Sequence, residues 1–292
     1  MAKKKRVVSP KLHLCAAAWT MQGQPHPNKQ WSMDTKLRKV KDAGFEGFSH
    51  GADPEANKAC KKYGIVHVGG VDIAKVREAL PKLKKFKQME VHHINVQLCD
   101  HDTKLKDSVP VARAVMKAGE ELDLQPAIEI HRDTCTETPE KTFALANAYE
   151  KRYRKKLRIN FDHSHPAIIK QVRAPNYWEP KTNARPDLLR AGELIHFRPF
   201  TGSHCQTPVT NGKKKLDRDF VLWRDHFLTP MLESWLKGAK SGAELWGVVE
   251  LGPQGSGYAL ECFPDVWKDA CVARVEIQNV WDRLVRKWRR GR

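Results

Sequence analysis

Four acidic or imidazole side chains stand at or near the ends of short apolar runs: Glu129 in A-I-E-I-H-R-D, Asp162 in L-R-I-N-F-D-H-S-H-P, His196 in L-I-H-F-R-P and Glu250 in G-V-V-E-L-G-P. The first three are 33 and 34 residues apart, and the fourth follows after 54. The shorter spacing is that of one strand, one helix and two loops, a βα unit. Four consecutive units of this kind aim the four side chains at one face of a parallel barrel. Three carboxylates and one imidazole form a hard, oxygen-rich donor set. It suits manganese first, then magnesium or cobalt, and zinc less well. Taken singly, each residue has an ordinary reading as a salt-bridge partner or a satisfied core histidine. The joint pattern is what argues for metal ligation.

Other residues fall close to these four. Arg198 lies two positions beyond His196, so strand alternation puts both on one face, where a guanidinium would hold a substrate hydroxyl or carboxylate. His131 stands two beyond Glu129 by the same logic. His165, three residues after Asp162, is expected at the loop mouth, donating to a substrate oxygen or adding a ligand. Trp19 and His50 end the first two strands and would wall a sugar ring. His204 belongs to the longest loop, Thr201 to Leu216, which is expected to govern specificity and so counts with the substrate-facing residues.

The elements that must position these side chains can be read in order. Leu12 to Thr20 is small and apolar, as a strand inside a crowded barrel must be. Met33 to Ala43 carries apolar positions at helical spacing and is stopped by Gly44. Phe45 to His50, Ile65 to Val71 and Val91 to Leu98 read as strands two to four, and helices are expected over 73 to 89 and 104 to 122. Asp53-Pro54 and Thr138-Pro139 each place a capping side chain before a proline at the first helical position. Strand five is Gln125 to His131, strand six ends at Asp162, and strand seven holds His196. The segment 174 to 180 is expected to make an excursion before a short helix at Pro186 to Ala191. Thr229-Pro230 should kink or restart the helix that begins near Phe220. Leu245 to Leu251 is the eighth strand, and Pro264 to Trp288 closes the chain. Eight strands alternating with helices predict a single (β/α)8 TIM barrel over residues 11 to 288, flanked by basic tails at 1 to 10 and 289 to 292.

Composition narrows the class. The chain has 292 residues, 40% of them hydrophobic, and can bury a large core. Its seven cysteines show no C-x-x-C spacing, which argues against a disulfide framework or a zinc knuckle and for reduced thiols in a cytoplasm. The formal net charge is +18, but residues 3 to 6 supply four of these charges and residues 283 to 292 six more, leaving +8 on the body. The basic ends are expected to be solvated tails, so nucleic acid is a disfavoured partner. No run reaches membrane-spanning length and no leader pattern is visible, giving the expectation of a cytoplasmic protein.

The chain resembles the xylose isomerase-like superfamily of barrels, and within it the sugar phosphate isomerase/epimerase branch. The resemblance runs from W-T at 19 to 20 through D-A-G-F-E-G-F at 42 to 48. Its sharpest segments are E-I-H-R-D-T (129 to 134), F-D-H-S-H (161 to 165), H-F-R (196 to 198) with P-V after Gln206, and E-L-G-P (250 to 253). It implies one divalent metal on Glu129, Asp162, His196 and Glu250, with Glu129 and Glu250 as an acid/base pair and His165 and Arg198 on the substrate. The implied reaction is isomerisation or epimerisation of a ketose or oxidised sugar by proton transfer through a metal-stabilised enediolate. A metal-dependent lyase or dehydratase acting on an oxidised sugar or glycoside is the alternative. An apurinic-site endonuclease ranks lower, because no D-x-H pair lies between His196 and Glu250 and strand four offers Gln97 where that family needs a ligand. By analogy with such barrels, a homodimer is expected.

Overall fold

The computed structural model describes residues 7–173, 176, 184–213 and 215–291. The basic arm at 3 to 6, Lys214, and all of the expected 174–180 excursion except Asn176 lie outside the described residues.

Eight strands form a closed barrel: β1 (Lys11–Ala17), β2 (Gly47–His50), β3 (Val66–Ile73), β4 (His93–Leu98), β5 (Gln125–Glu129), β6 (Ile159–Asp162), β7 (Leu194–Phe197) and β8 (Glu244–Val249). Each strand pairs in parallel with its sequence neighbours, and β8 returns to β1. A right-handed crossover through a helix joins consecutive parallel strands, which accounts for the regular rhythm.

The helices are α1 (Met33–Asp42), α2 (Pro54–Tyr63), α3 (Val76–Gln88), α4 (Leu105–Leu122), α5 (Pro139–Tyr153), α6 (Ser164–Ile169), α7 (Pro186–Ala191), α8 (Arg218–Trp223), α9 (Thr229–Lys237) and α10 (Val266–Arg290). Both capping devices form. Asp53 Oδ1 accepts from Glu55 N at 2.8 Å, and Thr138 Oγ1 accepts from Lys141 N at 3.2 Å. The break at Thr229-Pro230 is a π-helical turn over Arg224–Leu228, just upstream of the proline. Pro230 has no N–H to donate, and the Arg224 carbonyl accepts from both the Thr229 N–H and, at 2.8 Å, Thr229 Oγ1.

Alternation along the strands builds two cores. Outward residues such as Leu14, Phe48, Ile94, Val96, Ile128, Phe161, Ile195 and Leu245 pack under the helices. Inward residues Cys15, Ala17, Val68, Ala127, Leu194, Trp246 and Val248 make a separate, smaller core inside the barrel. That interior is tight: a Cβ on Gly47 would sit 2.3 Å from Cys15 Sγ. Reading upward from this inner core by twos, Ala127 leads to Glu129, Leu194 to His196 and Arg198, and Val248 to Glu250. The site is thus the top layer of the barrel's own packing.

Several boundaries differ from expectation. Strand two begins at Gly47, because Phe45 turns outward to pack beside Trp267, with ring centroids 5.9 Å apart. Strands five and eight end at Glu129 and Val249, so His131 and Glu250 stand on the loops just above them. The closing helix continues to Arg290, and Arg289 Nε donates to Ser9 Oγ, so the two chain ends touch each other. No helix among the described residues is long and apolar enough to cross a membrane.

The lower end of the barrel is plugged by aromatic rings. Trp246 stacks on His13 at 4.4 Å and lies 4.9 Å from His93. Burial pushes the His93 imidazole down to about 4. The unfolded chain therefore takes up this proton near pH 6.5, and the folded protein only near pH 4. Between those values stability falls on acidification by about 1.4 kcal/mol per pH unit from this group, approaching ~3 kcal/mol in all. Urea unfolding at pH 7 and pH 4.5 should show a smaller acid loss for His93→Gln than for the wild type; equal losses would contradict the assignment.

Candidate metal centre and active site

The barrel brings Glu129, Asp162, His196 and Glu250 together, with one ligating atom from each lying within 4.8 Å of the others. Their placement follows from register. Asp162 on β6 is the direct partner of His196 on β7, and Val248, two before Glu250, partners the same histidine from β8. Glu129 is paired with Asn160, two positions before Asp162. His196 Nδ1 is the centre of the group: Glu250 Oε2 is 2.7 Å away, Glu129 Oε1 2.9 Å and Asp162 Oδ2 4.0 Å.

These contacts are close ion pairs rather than directed hydrogen bonds. His196 Nδ1 and Nε2, Asp162 Oδ2 and Glu250 Oε2 are all buried with no hydrogen-bond partner in acceptable geometry. Orphaned polar atoms that converge on one point are costly unless something fills it. Three carboxylate oxygens and an imidazole nitrogen arranged in this way fit a hard divalent cation.

The electrostatics carry the same message. Burial opposes charge on every member of the group. For Asp162 burial prevails and raises the carboxyl. For Glu129 it is outweighed by the His196 imidazolium, and for Glu250 by His196 and Arg198, so both carboxyls are held low. His196 is raised well above its ordinary range, against burial, by Glu250 and Glu129. A metal bound at this point would displace that proton.

Surrounding residues fix each ligand. Asp162 Oδ1 accepts from Ser164 N at 3.0 Å and from Ser164 Oγ at 2.6 Å. Glu129 Oε2 accepts from Asn95 Nδ2 at 2.6 Å, and Asn95 Oδ1 accepts from Asn160 Nδ2 at 2.8 Å. This amide chain leaves Glu129 Oε1 to face His196. The loop carrying Glu250 is pinned twice, by Leu251 N donating to Thr20 Oγ1 at 3.0 Å and Gly252 N to Gln206 Oε1 at 2.6 Å.

Arg198 is fully buried, and the structure places it among the ligands. Its Nε donates to the Glu250 carbonyl at 3.0 Å, Nη2 lies 2.9 Å from Glu250 Oε2, and Nη1 lies 3.4 Å from Asp162 Oδ2. Nη1 also donates to Ser164 Oγ at 3.2 Å and sits 3.1 Å from His165 Nε2. Tyr258, from the loop after β8, covers this guanidinium at 4.8 Å and meets Trp19 edge-on at 4.8 Å. His165 is on the first turn of α6, not at a loop mouth, and is wholly buried. Its ring lies 3.9 Å from that of His131.

A second trio, Glu129, His131 and His165, also has ligand atoms within 4.8 Å. Arg198 opposes a cation there, since its Nη1 already engages His165 Nε2. Trp19 and His50 line a cavity of about 340 Å³ that opens over His196 and Glu250. His204 is not part of that lining; its Nδ1 lies against the Gln206 carbonyl and its ring faces Phe263. A larger groove of about 470 Å³, between Leu236, Leu284 and Trp288, lies on the helical shell and contains none of the four ligands.

Asn95, Asn160, Asp72, Ser164 and Tyr258 belong to the site without having been singled out from the sequence. The alternation in H-I-N-V-Q-L puts His93, Asn95 and Gln97 on one face of β4 and is a usable signal for Asn95. Tyr258 arrives on an irregular loop and carries no such signal.

The closed parallel (β/α)8 barrel is the fold seen in solved xylose isomerase-like TIM barrel proteins. Solved structures of that fold superpose on nearly the whole chain. The 3-keto-D-glucoside 4-epimerase of E. coli aligns at TM-score 0.56 and 13% identity, over 92% of this chain and 100% of its own. A xylose isomerase-like TIM barrel protein from Mycobacterium smegmatis, solved with magnesium, aligns at 0.57 and 11%, over 93% and 97%. A probable 3-DHS dehydratase from Bacillus anthracis gives 0.58 and 11%, over 90% and 98%. No family model matches the sequence, and no curated protein matches it. At these identities the likeness is one of fold.

Removing the Arg198 guanidinium leaves Asp162 and Glu250 buried with one fewer counter-charge. Arg198→Met should lower unfolding stability in chelator by about 3–5 kcal/mol, with a smaller loss when a divalent ion is present. Chemical denaturation in both conditions checks this, and an unchanged midpoint in chelator would contradict the clamp.

Proposed function

We propose that the protein is a divalent-metal-dependent sugar isomerase or epimerase that moves a proton next to a carbonyl of a ketose or oxidised sugar. The observation that carries this reading is the pair of glutamates that meet at one imidazole nitrogen. Glu129 comes from β5 and Glu250 from the end of β8, 2.9 and 2.7 Å from the same His196 nitrogen. Glu250 and His196 line one cavity; Glu129 meets the same histidine with its Oε2 held by Asn95 Nδ2, and the Glu250 backbone carbonyl accepts from Arg198 Nε.

A metal would be held by Glu129, Asp162, His196 and Glu250, with manganese the leading candidate and magnesium, cobalt or zinc also compatible with the donor set. When bound, it polarises adjacent sugar oxygens and so acidifies the neighbouring C–H. One glutamate removes that proton and the other returns one to the opposite face, giving the epimer, or to the adjacent carbon, giving the isomer. Trp19 and His50 wall the ring, while Tyr258 shields the reacting centre from water. In this reading Arg198 and His165 act mainly by holding the ligands, with His131 nearer the opening.

A dehydratase would use the same first proton removal and expel a leaving group instead. The likeness in fold to a probable 3-DHS dehydratase supports keeping this second reading. For an endonuclease, the position that needs another ligand is Gln97, whose side chain has no hydrogen-bond partner among the described residues.

The test is solvent exchange. Metal-loaded protein incubated in D2O with a ketose panel should place deuterium at the carbon next to the carbonyl, read by NMR. Glu129→Gln and Glu250→Gln should each slow this by about 10²–10⁴-fold. Full exchange in either variant would remove that residue from the proton path.

A further inference from the structure

Two cavities meet at the mouth of the barrel. The inner one, about 340 Å³, lies against His196 and Glu250 and owes its space to Ala17, Gly51 and Gly70. A Cβ built on Gly70 would meet nothing within 4 Å. The outer one, about 290 Å³, continues past the ends of β3 and β4 to Ala74, Cys99, Arg132 and Thr134. Together they fall within the range of roughly 300–1,000 Å³ typical of small-molecule sites. A single hexose would leave the outer one empty.

The wall common to both is made of Asp72 and Gln97. The two are register partners on β3 and β4, one step above the pair Gly70 and Asn95, and so project to the same side. Neither side chain has a hydrogen-bond or ion-pair partner among the described residues, although Lys82 Nζ fixes the Asp72 carbonyl at 2.7 Å. Deeper in the inner cavity, Asn95 donates to Glu129 and Glu250 lies against Arg198. A carboxylate and an amide held side by side, both uncommitted, between two adjoining cavities are placed to grip the hydroxyls of a ligand that spans them.

We infer that the substrate is a two-ring glycoside: one sugar sits over the metal ligands, the second fills the outer cavity, and Asp72 and Gln97 hydrogen-bond to oxygens near the junction. The outer wall suits a polyhydroxylated ring, with His131 and Arg132 offering polar groups beside the small apolar face of Ala74. This inference rests on the proposed sugar chemistry and specifies its substrate class.

The experiment is isothermal titration calorimetry on the manganese-loaded full chain with D-fructose, lactulose and isomaltulose, the last two being disaccharides that contain fructose. At least one disaccharide should bind about 10-fold tighter than fructose. Ala74 is exposed and lines only the outer cavity, so Ala74→Trp should abolish that gain and leave fructose affinity unchanged. Should the tryptophan variant lose fructose binding as well, Asp72→Ala carries the test and must reduce the disaccharide gain. Disaccharides no tighter than fructose, or a gain that survives both substitutions, would overturn the second subsite alone. No binding of any of these sugars by metal-loaded protein would overturn the sugar reading and this inference with it.

Discussion

Three carboxylates and an imidazole packed into one buried point repel or strand one another unless a positive charge stands among them, and the top of the barrel is arranged around that requirement. His196 is the hub, with two carboxylate oxygens 2.7 and 2.9 Å from its Nδ1. Like charges this close in a medium of low polarity interact far more strongly than in water. Arg198 supplies one compensating charge and the His196 proton another. The atoms that remain orphaned form a cluster that could hold a metal ion.

The closed parallel sheet makes such a cluster bearable. Strand ends in a barrel are fixed on both sides by ladder hydrogen bonds, which hold Glu129, Asp162 and His196 in place, while Glu250 follows directly on the end of β8. The small inner core of Cys15, Ala17, Val68, Ala127, Leu194, Trp246 and Val248 supports the ligands from below. The asparagine chain through Asn160 and Asn95, the Ser164 turn at Asp162 and the Gln206 bridge at Gly252 hold them from the side. Supporting groups of this kind set ligand orientation and are as much a part of a metal site as the ligands. Asp72 and Gln97 stand one layer above Gly70 and Asn95, on the wall that the two cavities share.

Much of this was legible in the sequence, for identifiable reasons. Helix caps such as Asp53-Pro54 and Thr138-Pro139 are local, and they form where their residue types place them. The clustering of the four residues could be read because a strand has a period of two and a βα unit a nearly constant length, so chemistry at one strand end repeats along the chain. The sequence was silent where position depends on several elements at once. The direction of the Arg198 guanidinium is set jointly by β6, β7 and the loop after β8, so alternation alone showed its face but not its engagement with Asp162 and Glu250. His165 was assigned to a loop because nothing in S-H-P-A-I-I announces a six-residue helix, yet α6 buries it. His204 shows the opposite failure: a histidine in a long loop turns to its own Gln206 carbonyl and stays out of the cavity.

The central claim is that one divalent cation completes the Glu129, Asp162, His196 and Glu250 cluster. The measurement that tests it most directly is metal content per chain by elemental analysis, after stripping with chelator, reloading and gel filtration, beside a Glu250→Ala control. The account predicts close to one equivalent of manganese, magnesium or cobalt in the wild type, and its loss in the control. A protein that retains no metal, or one that holds its metal equally well without Glu250, would contradict it.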